Sequence, residues 1–248
     1  MKKILAVFMA VCMMLALAGC GGSEKKADAP KEKVKVSLGM LRLTSSAPLF
    51  IAMDKGFFAD EGIEIDAQWF DAAHPIAVAT ASSKVNVGAT GITASLYNMA
   101  ANGQKLGIVA DKGREQQGYS SSALLVTADN FNNGVQSLKD LKGKRIGITQ
   151  KGSTFHYMLG RMLETQGMSL DDVEIVPLNK VSAVMAALES KQIDGCILNE
   201  PNITKVQKAG YGKLVVQVGD VIPYQTSAIF YSPEFMQNKD AAARFMKA

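Results

Sequence analysis

The chain has 248 residues, of which 48% are hydrophobic and 20% charged, with a formal charge of +4. These values fit one globular protein of one or two lobes and exclude a disordered or fibrous chain. Basic residues are scattered, with no aromatic-rich basic stripe, so no nucleic-acid partner is expected.

Met1-Lys2-Lys3 followed by the apolar run Ile4 to Ala18 reads as an export signal over 1–19, too short for a permanent membrane span. Without Lys2 and Lys3 the formal charge drops to +2. Leu17-Ala18-Gly19-Cys20 resembles the lipobox of bacterial lipoproteins. The resemblance implies that Cys20 is acylated and becomes the first mature residue, its thiol being the nucleophile that takes the lipid. Residues 20–33, ending in GGSEKKADAPKEK, then form a polar lipidated tether without periodicity. The remaining cysteines do not suggest a disulfide: Cys12 lies in the leader, and Cys196 stands alone in a strand-like run as a small buried residue.

From Val34 the pattern alternates between strand and helix. Val34–Met40 reads as a strand, Thr44–Pro48 as a turn, and Leu49, Ile51, Ala52 and Met53 as the stripe of a helix ended by Lys55-Gly56. Phe57–Gly62 is a short helical turn, Ile63–Phe70 a strand, His74–Ser82 a helix and Val85–Ala89 a strand. Thr90-Gly91-Ile92-Thr93 is expected to turn into a helix over 94–101, and Leu106–Ala110 to be a strand followed by a loop over Asp111–Ser120. A strand at Ser122–Thr127 opens a second series. There, a polar approach helix ends at Gly143, a strand covers Arg145–Thr149, and Gly152-Ser153-Thr154 turns into an amphipathic helix with Met158, Leu159, Met162 and Leu163 at helical spacing. Strand 172–177, helix 181–190, strand 194–198, helix 201–209 and strand 213–218 complete it.

The segment from Glu64-Ile65 to Val85-Asn86-Val87-Gly88 resembles that from Glu174-Ile175 to Ile193-Asp194-Gly195-Cys196. Two related lobes would leave this trace, each a mostly parallel sheet flanked by helices. Ligands of such α/β sheets bind beyond the carboxyl ends of the strands. Gly152-Ser153-Thr154 is the notable turn there: free N–H groups and a helix dipole can receive an anion, while Ser153 or Thr154 capping its own helix is the plain alternative.

Three stretches carry a family resemblance. Ala47 to Phe58 with Glu61-Gly62-Ile63, then Leu138 to Gly147 with Gly152-Ser153-Thr154, then Ala187 to Ser190 with Gln192 to Gly195 and Glu200-Pro201, are similar to motifs of ABC-importer solute-binding proteins of the nitrate, sulfonate, taurine and thiamine-precursor group. The resemblance implies a type II periplasmic-binding-protein-like fold. Residues 34–121 would be the first part of lobe 1, 122–222 lobe 2 with crossing segments, and 223–248 the return to lobe 1. It implies a monomer that closes on a small polar organic solute or oxyanion, sulfonate, nitrate, taurine or pyrimidine-like, and passes it to a permease and its ATPase, with the membrane reached through the lipid. It also implies a longer chain, so that the sequence stops at Lys247-Ala248 inside a helix of an incomplete protein.

Ligand contacts in that group come from turns matching Ser45, Ser46, Thr90, Gly91, Thr93, Ser120, Gly152, Ser153, Thr154, Phe155 and Glu200. Asn199 replaces the tryptophan often found before Glu-Pro. Among charged candidates, Arg42 could pair an anion or be solvated, Glu115 could receive an amine or lie in a solvated loop, and Glu200 could accept a ligand N–H or cap its helix. His74 and His156 have no metal-ligand spacing, and no nucleophile elbow is present, so neither metal, cofactor nor catalysis is expected. The rival expectations are an enzyme of the related pyrimidine-forming or menaquinone-pathway fold, and a sensory lipoprotein.

Overall fold

The structure is a computed structural model that describes residues 32–248. The leader, the lipobox cysteine and most of the tether lie outside the described residues. No helix among the described residues is long and apolar enough to cross a membrane.

The first series gives β1 (Val34–Met40), α1 (Ala47–Asp54), α2 (Phe57–Asp60), β2 (Ile63–Trp69), α3 (Ala73–Ala81), β3 (Val87–Gly91), α4 (Ala94–Ala101) and β4 (Gly107–Glu115). The second gives β5 (Ser122–Thr127), α5 (Ala128–Asn132), β6 (Arg145–Ile148), α6 (Thr154–Glu164), β7 (Glu174–Pro177), α7 (Val181–Glu189), β8 (Gly195–Asn199), α8 (Asn202–Ala209) and β9 (Gly212–Gln217). The chain then forms α9 (Val218–Val221), β10 (Tyr224–Tyr231) and α10 (Lys239–Lys247).

Two five-stranded sheets result, in the orders β2-β1-β3-β10-β4 and β7-β6-β8-β5-β9. β1 is parallel to β2 and β3, whereas β10 is antiparallel to β3 and β4. Likewise β6 is parallel to β7 and β8, and β5 is antiparallel to β8 and β9. Four strands of each sheet therefore point one way and one points back. The reversed strand is in each case the one that arrives from the neighbouring lobe, because a chain crossing between two sheets enters the second at the end facing the first, where the other strands finish.

Period-two burial builds the cores. In lobe 2, Leu124, Val126, Ile146, Ile148 and Ile197 pack against Phe155, Met158, Leu159, Met162 and Leu163 of α6. The opposite face sets Ala123, Leu125, Cys196 and Leu198 against α7 and α8. Burying Met158, Leu159 and Met162 contributes roughly 1.5–3 kcal/mol each, so the body of α6 holds its N-terminus in place. Cys196 is the buried free thiol expected, and burial pushes its pKa up. In lobe 1, Val36, Leu38, Met40, Val87 and Ala89 pack against Leu49, Phe58, Phe235 and Phe245.

Arg145 and Asp194, from two separate motifs, meet at the amino ends of β6 and β8, with Nε–Oδ2 at 3.1 Å and Nη2–Oδ1 at 3.0 Å. Those motif residues hold strands together away from the carboxyl ends. Several boundaries differ from the sequence reading. The polar approach is a 3-10 turn over Leu138–Leu141, and Thr90-Gly91 end β3 instead of forming a turn. Pro201 precedes α8 as its cap residue, after a cis Glu200-Pro201 peptide. Asp111–Glu115 is strand where a loop was expected, because β10 supplies the backbone partners.

A cavity at the strand ends

The carboxyl ends of β1, β3, β6 and β8 and the starts of β5 and β10 converge on one cavity of about 50 Å³, room for a few waters or one small head group. Lobe 1 contributes Ser45, Thr90, Gly91, Lys112 and Thr226, lobe 2 contributes Thr149, Ser153, Thr154 and Asn199, and the connection before β5 contributes Ser121. Leu41, Leu43, Phe155, Met158 and Val181 form its apolar wall.

Lys112 is the cation of this site, and strand register explains how it gets there. On β4, Asp111 pairs with Ala228 and Gly113 with Ser227, so Lys112 is an extra residue on its strand. On β10, Gln225 pairs with Arg114 and Ser227 with Gly113, so Thr226 is the matching extra residue. Such bulges re-aim side chains. Both bulged residues line the cavity, and Thr226 Oγ1 donates to Gly113 O at 2.8 Å. Lys112 Nζ donates to Ser45 Oγ at 2.8 Å and to Ser46 Oγ at 3.2 Å. Burial pushes its pKa down from 10.5 to about 8, offset in part by Asp111. Desolvation disfavours the ammonium, and an anion beside it would restore the charged form.

Thr90 is 1% exposed, and its Oγ1 has no hydrogen-bond partner among the described residues. A buried hydroxyl without a partner costs about 1–3 kcal/mol, which a bound solute would recover. Across the cavity, Ser153 caps α6 by accepting from His156 N–H at 3.3 Å, while Thr154 and Phe155 begin the helix against the cavity. Capping and lining are thus both true of this turn. Gly152 has φ +78°, and its N–H donates to His156 Nδ1 at 3.1 Å. Burial, then Lys151, lowers the His156 pKa, in keeping with an imidazole that accepts this bond.

The lobes touch on both sides of the cavity. Ala94 N–H donates to Gly152 O at 3.1 Å, and Thr44 N–H to Glu200 O at 3.3 Å. The Tyr157 and Tyr224 rings stand 4.8 Å apart, and Tyr224 Oη donates to Ile92 O at 2.7 Å. A Cβ placed on Gly91 would lie 2.7 Å from Thr154 Cγ2, so only glycine permits this approach.

Of the sequence candidates, Ser45, Thr90, Gly91, Ser153, Thr154 and Phe155 line the cavity together, and Ser46 stands behind it as a partner of Lys112. Others are elsewhere. Arg42 lies over the exposed Trp69 ring at 4.0 Å, which makes it a surface residue. Thr93 accepts from Leu96 N–H at 3.1 Å as the cap of α4 and borders a separate polar crevice with His74 and Lys151. Gly152 makes one of the two interlobe backbone bonds given above without lining the cavity. Glu200 caps α8, accepting from Thr204 N–H at 3.2 Å and Thr204 Oγ1 at 2.9 Å. Glu115 is 0% exposed and bonded to serines at the crossing, with Ser120 among its donors, so neither touches the cavity. The sequence reading missed Lys112, Thr149, Ser121, Thr226 and a lining role for Asn199. The signal for Lys112 was its neighbour Gly113, since a glycine inside a strand marks a bulge.

A family model described as NMT1/THI5 like matches residues 43–248. The "Putative aliphatic sulfonates-binding protein" of Bacillus subtilis (strain 168) is 30% identical over 100% of this chain and 72% of its own length. The nitrate/nitrite binding protein NrtA of Nostoc sp. is 30% identical over 76% of this chain, which spans only 46% of that relative. Among solved structures, the alkanesulfonate-binding protein SsuA from Xanthomonas axonopodis pv. citri, bound to MOPS, has a TM-score of 0.69 at 22% identity, covering 86% of this chain and 73% of that one.

Proposed function

The chain belongs to the NMT1/THI5-like family, and on that premise we propose that it is the solute-binding component of an ABC importer, capturing a small oxyanion of the sulfonate or nitrate kind between its lobes. The observation that carries this reading is the bulged Lys112, which reaches the cavity beside the unpartnered Thr90 hydroxyl and opposite the N-terminus of α6. A desolvated ammonium, an orphan donor and a helix dipole all favour negative charge at one point. The apolar wall suits a short aliphatic part.

The solute then passes to a membrane permease with its ATPase. The protein works outside the cytoplasm as a monomer, held to the membrane by lipid on Cys20, and it does not transform what it binds. The relatives named above as sulfonate and nitrate binders support this reading. Incorporation of radiolabelled fatty acid by the wild type and its loss in Cys20→Ala would test the anchor; an unlabelled wild type would sink it.

The test of the site is calorimetry with nitrate, short alkanesulfonates and taurine, beside neutral pyrimidines as controls. The anions bind the wild type, and Ser153→Ala with Thr154→Ala weakens them by about 1 kcal/mol or more per lost hydrogen bond. Unchanged affinity would leave these two residues with capping alone. Binding of the neutral controls in place of the anions would overturn the oxyanion assignment.

A further inference from the structure

Two connections join the sheets within 32–248: residues 116–121 between β4 and β5, and 218–223 between β9 and β10. Glu115 is the last residue of β4, and its carboxylate meets the first residues of the crossing strand. Ser121 N–H donates to it at 2.9 Å and Ser122 N–H at 3.3 Å. Ser121 Oγ donates at 2.9 Å and Ser122 Oγ at 2.6 Å, and Ser120 Oγ has its one hydrogen to give either to the carboxylate or to Ser122 O at 2.8 Å. Gly219 N–H of the second connection donates to Ser120 Oγ at 3.1 Å.

This cluster decides which way its hydroxyl hydrogens point. A serine has one hydrogen to give and two lone pairs to offer. Ser121 lines the cavity, but its hydrogen is committed to Glu115, so its lone pairs are left for whatever sits there. Asn199 also lines the cavity, and its Nδ2 donates to Ser122 Oγ at 2.6 Å. With one N–H given to Ser122, Oδ1 is left to accept beside the second N–H. Both orientations trace back to one carboxylate. On the lobe 1 side Lys112 is a donor, the Thr90 hydroxyl is free to donate, and Thr226, its hydrogen given to Gly113 O, can accept.

We propose that Glu115 is a positioning residue that fixes Ser121 as a hydrogen-bond acceptor and, through Ser122, turns Asn199 Oδ1 to accept as well, so that the solute is an anion which also carries a donor, a hydroxyl or an amine. The inference rests on the oxyanion reading above and adds the second group of the solute. Glu115→Gln places an NH2 among the serines, and one hydroxyl has to turn its hydrogen outward. Ser121→Ala removes one acceptor and leaves the buried carboxylate its bonds from Ser120 and Ser122.

The experiment is calorimetry of the full chain with 2-hydroxyethanesulfonate and with ethanesulfonate, which differ by the donor alone. The wild type favours the hydroxyl-bearing sulfonate by about tenfold, and each variant cuts that ratio below about threefold. If Glu115→Gln does not fold, the ratio in Ser121→Ala decides. Equal binding of both sulfonates by the wild type, or an unchanged ratio in Ser121→Ala, overturns the inference and leaves the oxyanion reading in place. Binding of nitrate with neither sulfonate has the same meaning. Binding of no anion at all overturns both.

Discussion

Strand for strand the two lobes correspond, since β2-β1-β3-β10-β4 and β7-β6-β8-β5-β9 follow one plan with a reversed strand in the fourth place. Their chemistry at the cavity does not correspond. Lobe 1 supplies the cation, on an edge strand whose register slips at Lys112 and is recovered at Thr226. Lobe 2 supplies neutral hydroxyls, an amide and the start of α6. A shared sheet order therefore fixes where a site lies, while an irregularity in one strand pair fixes its charge.

The sharpest way to break this asymmetry is Lys112→Met. It should weaken anion binding by about 100-fold or more, the scale expected when a buried charged partner is removed. Calorimetry with nitrate or an alkanesulfonate checks it, and a loss below about tenfold would place the anion elsewhere. Next is Gly91→Ala, whose methyl would meet Thr154 Cγ2 at 2.7 Å. Overpacking at the interlobe contact should cost about tenfold in affinity. Small-angle scattering should show a liganded form less compact than the wild type.

The third prediction concerns pH. An anion raises the Lys112 pKa above its value of about 8 without solute. Affinity is then level below pH 8 and falls as pH rises through 8, by up to about tenfold per unit, until the bound-state pKa is passed. Near pH 8 binding takes up a proton, which calorimetry in buffers of different ionisation enthalpy detects. A flat profile would remove Lys112 as the counter-charge. The smallest effects belong to Arg42→Ala and Glu200→Ala, which should alter affinity by less than about twofold, because one stacks on Trp69 and the other caps α8. A large loss from Glu200→Ala would show that the cap reaches the solute after all.

Local signals made much of this molecule legible. β1 was read with its observed limits, and the α6 turn was legible because Gly, Ser and Thr between a strand and an amphipathic stripe have few other uses. β10 is not legible as a strand, since the exposed Gln225 and the cavity-lining Thr226 and Ser227 break the apolar alternation that marks a strand. The same applies to Asp111–Glu115, which is strand only because β10 lies against it. Lys112 was hidden for that reason: its place depends on a pairing between residues more than a hundred positions apart. Glu115 was recognised as a ligand candidate, but its bonds go to the serines that follow it.

The plan of the sheets also orders events when the polypeptide first emerges, N-terminus leading. Every strand of the second sheet lies within Ser122–Gln217, so lobe 2 can be completed from its own segment. The first sheet has a gap between β3 and β4 until Tyr224–Tyr231 arrives, and β4 pairs with β10 alone. Because such distant pairing bears the larger loop-closure cost, lobe 1 is finished last. Seating the lysine that gives the cavity its charge therefore requires β10, which lies C-terminal to every strand of the second sheet.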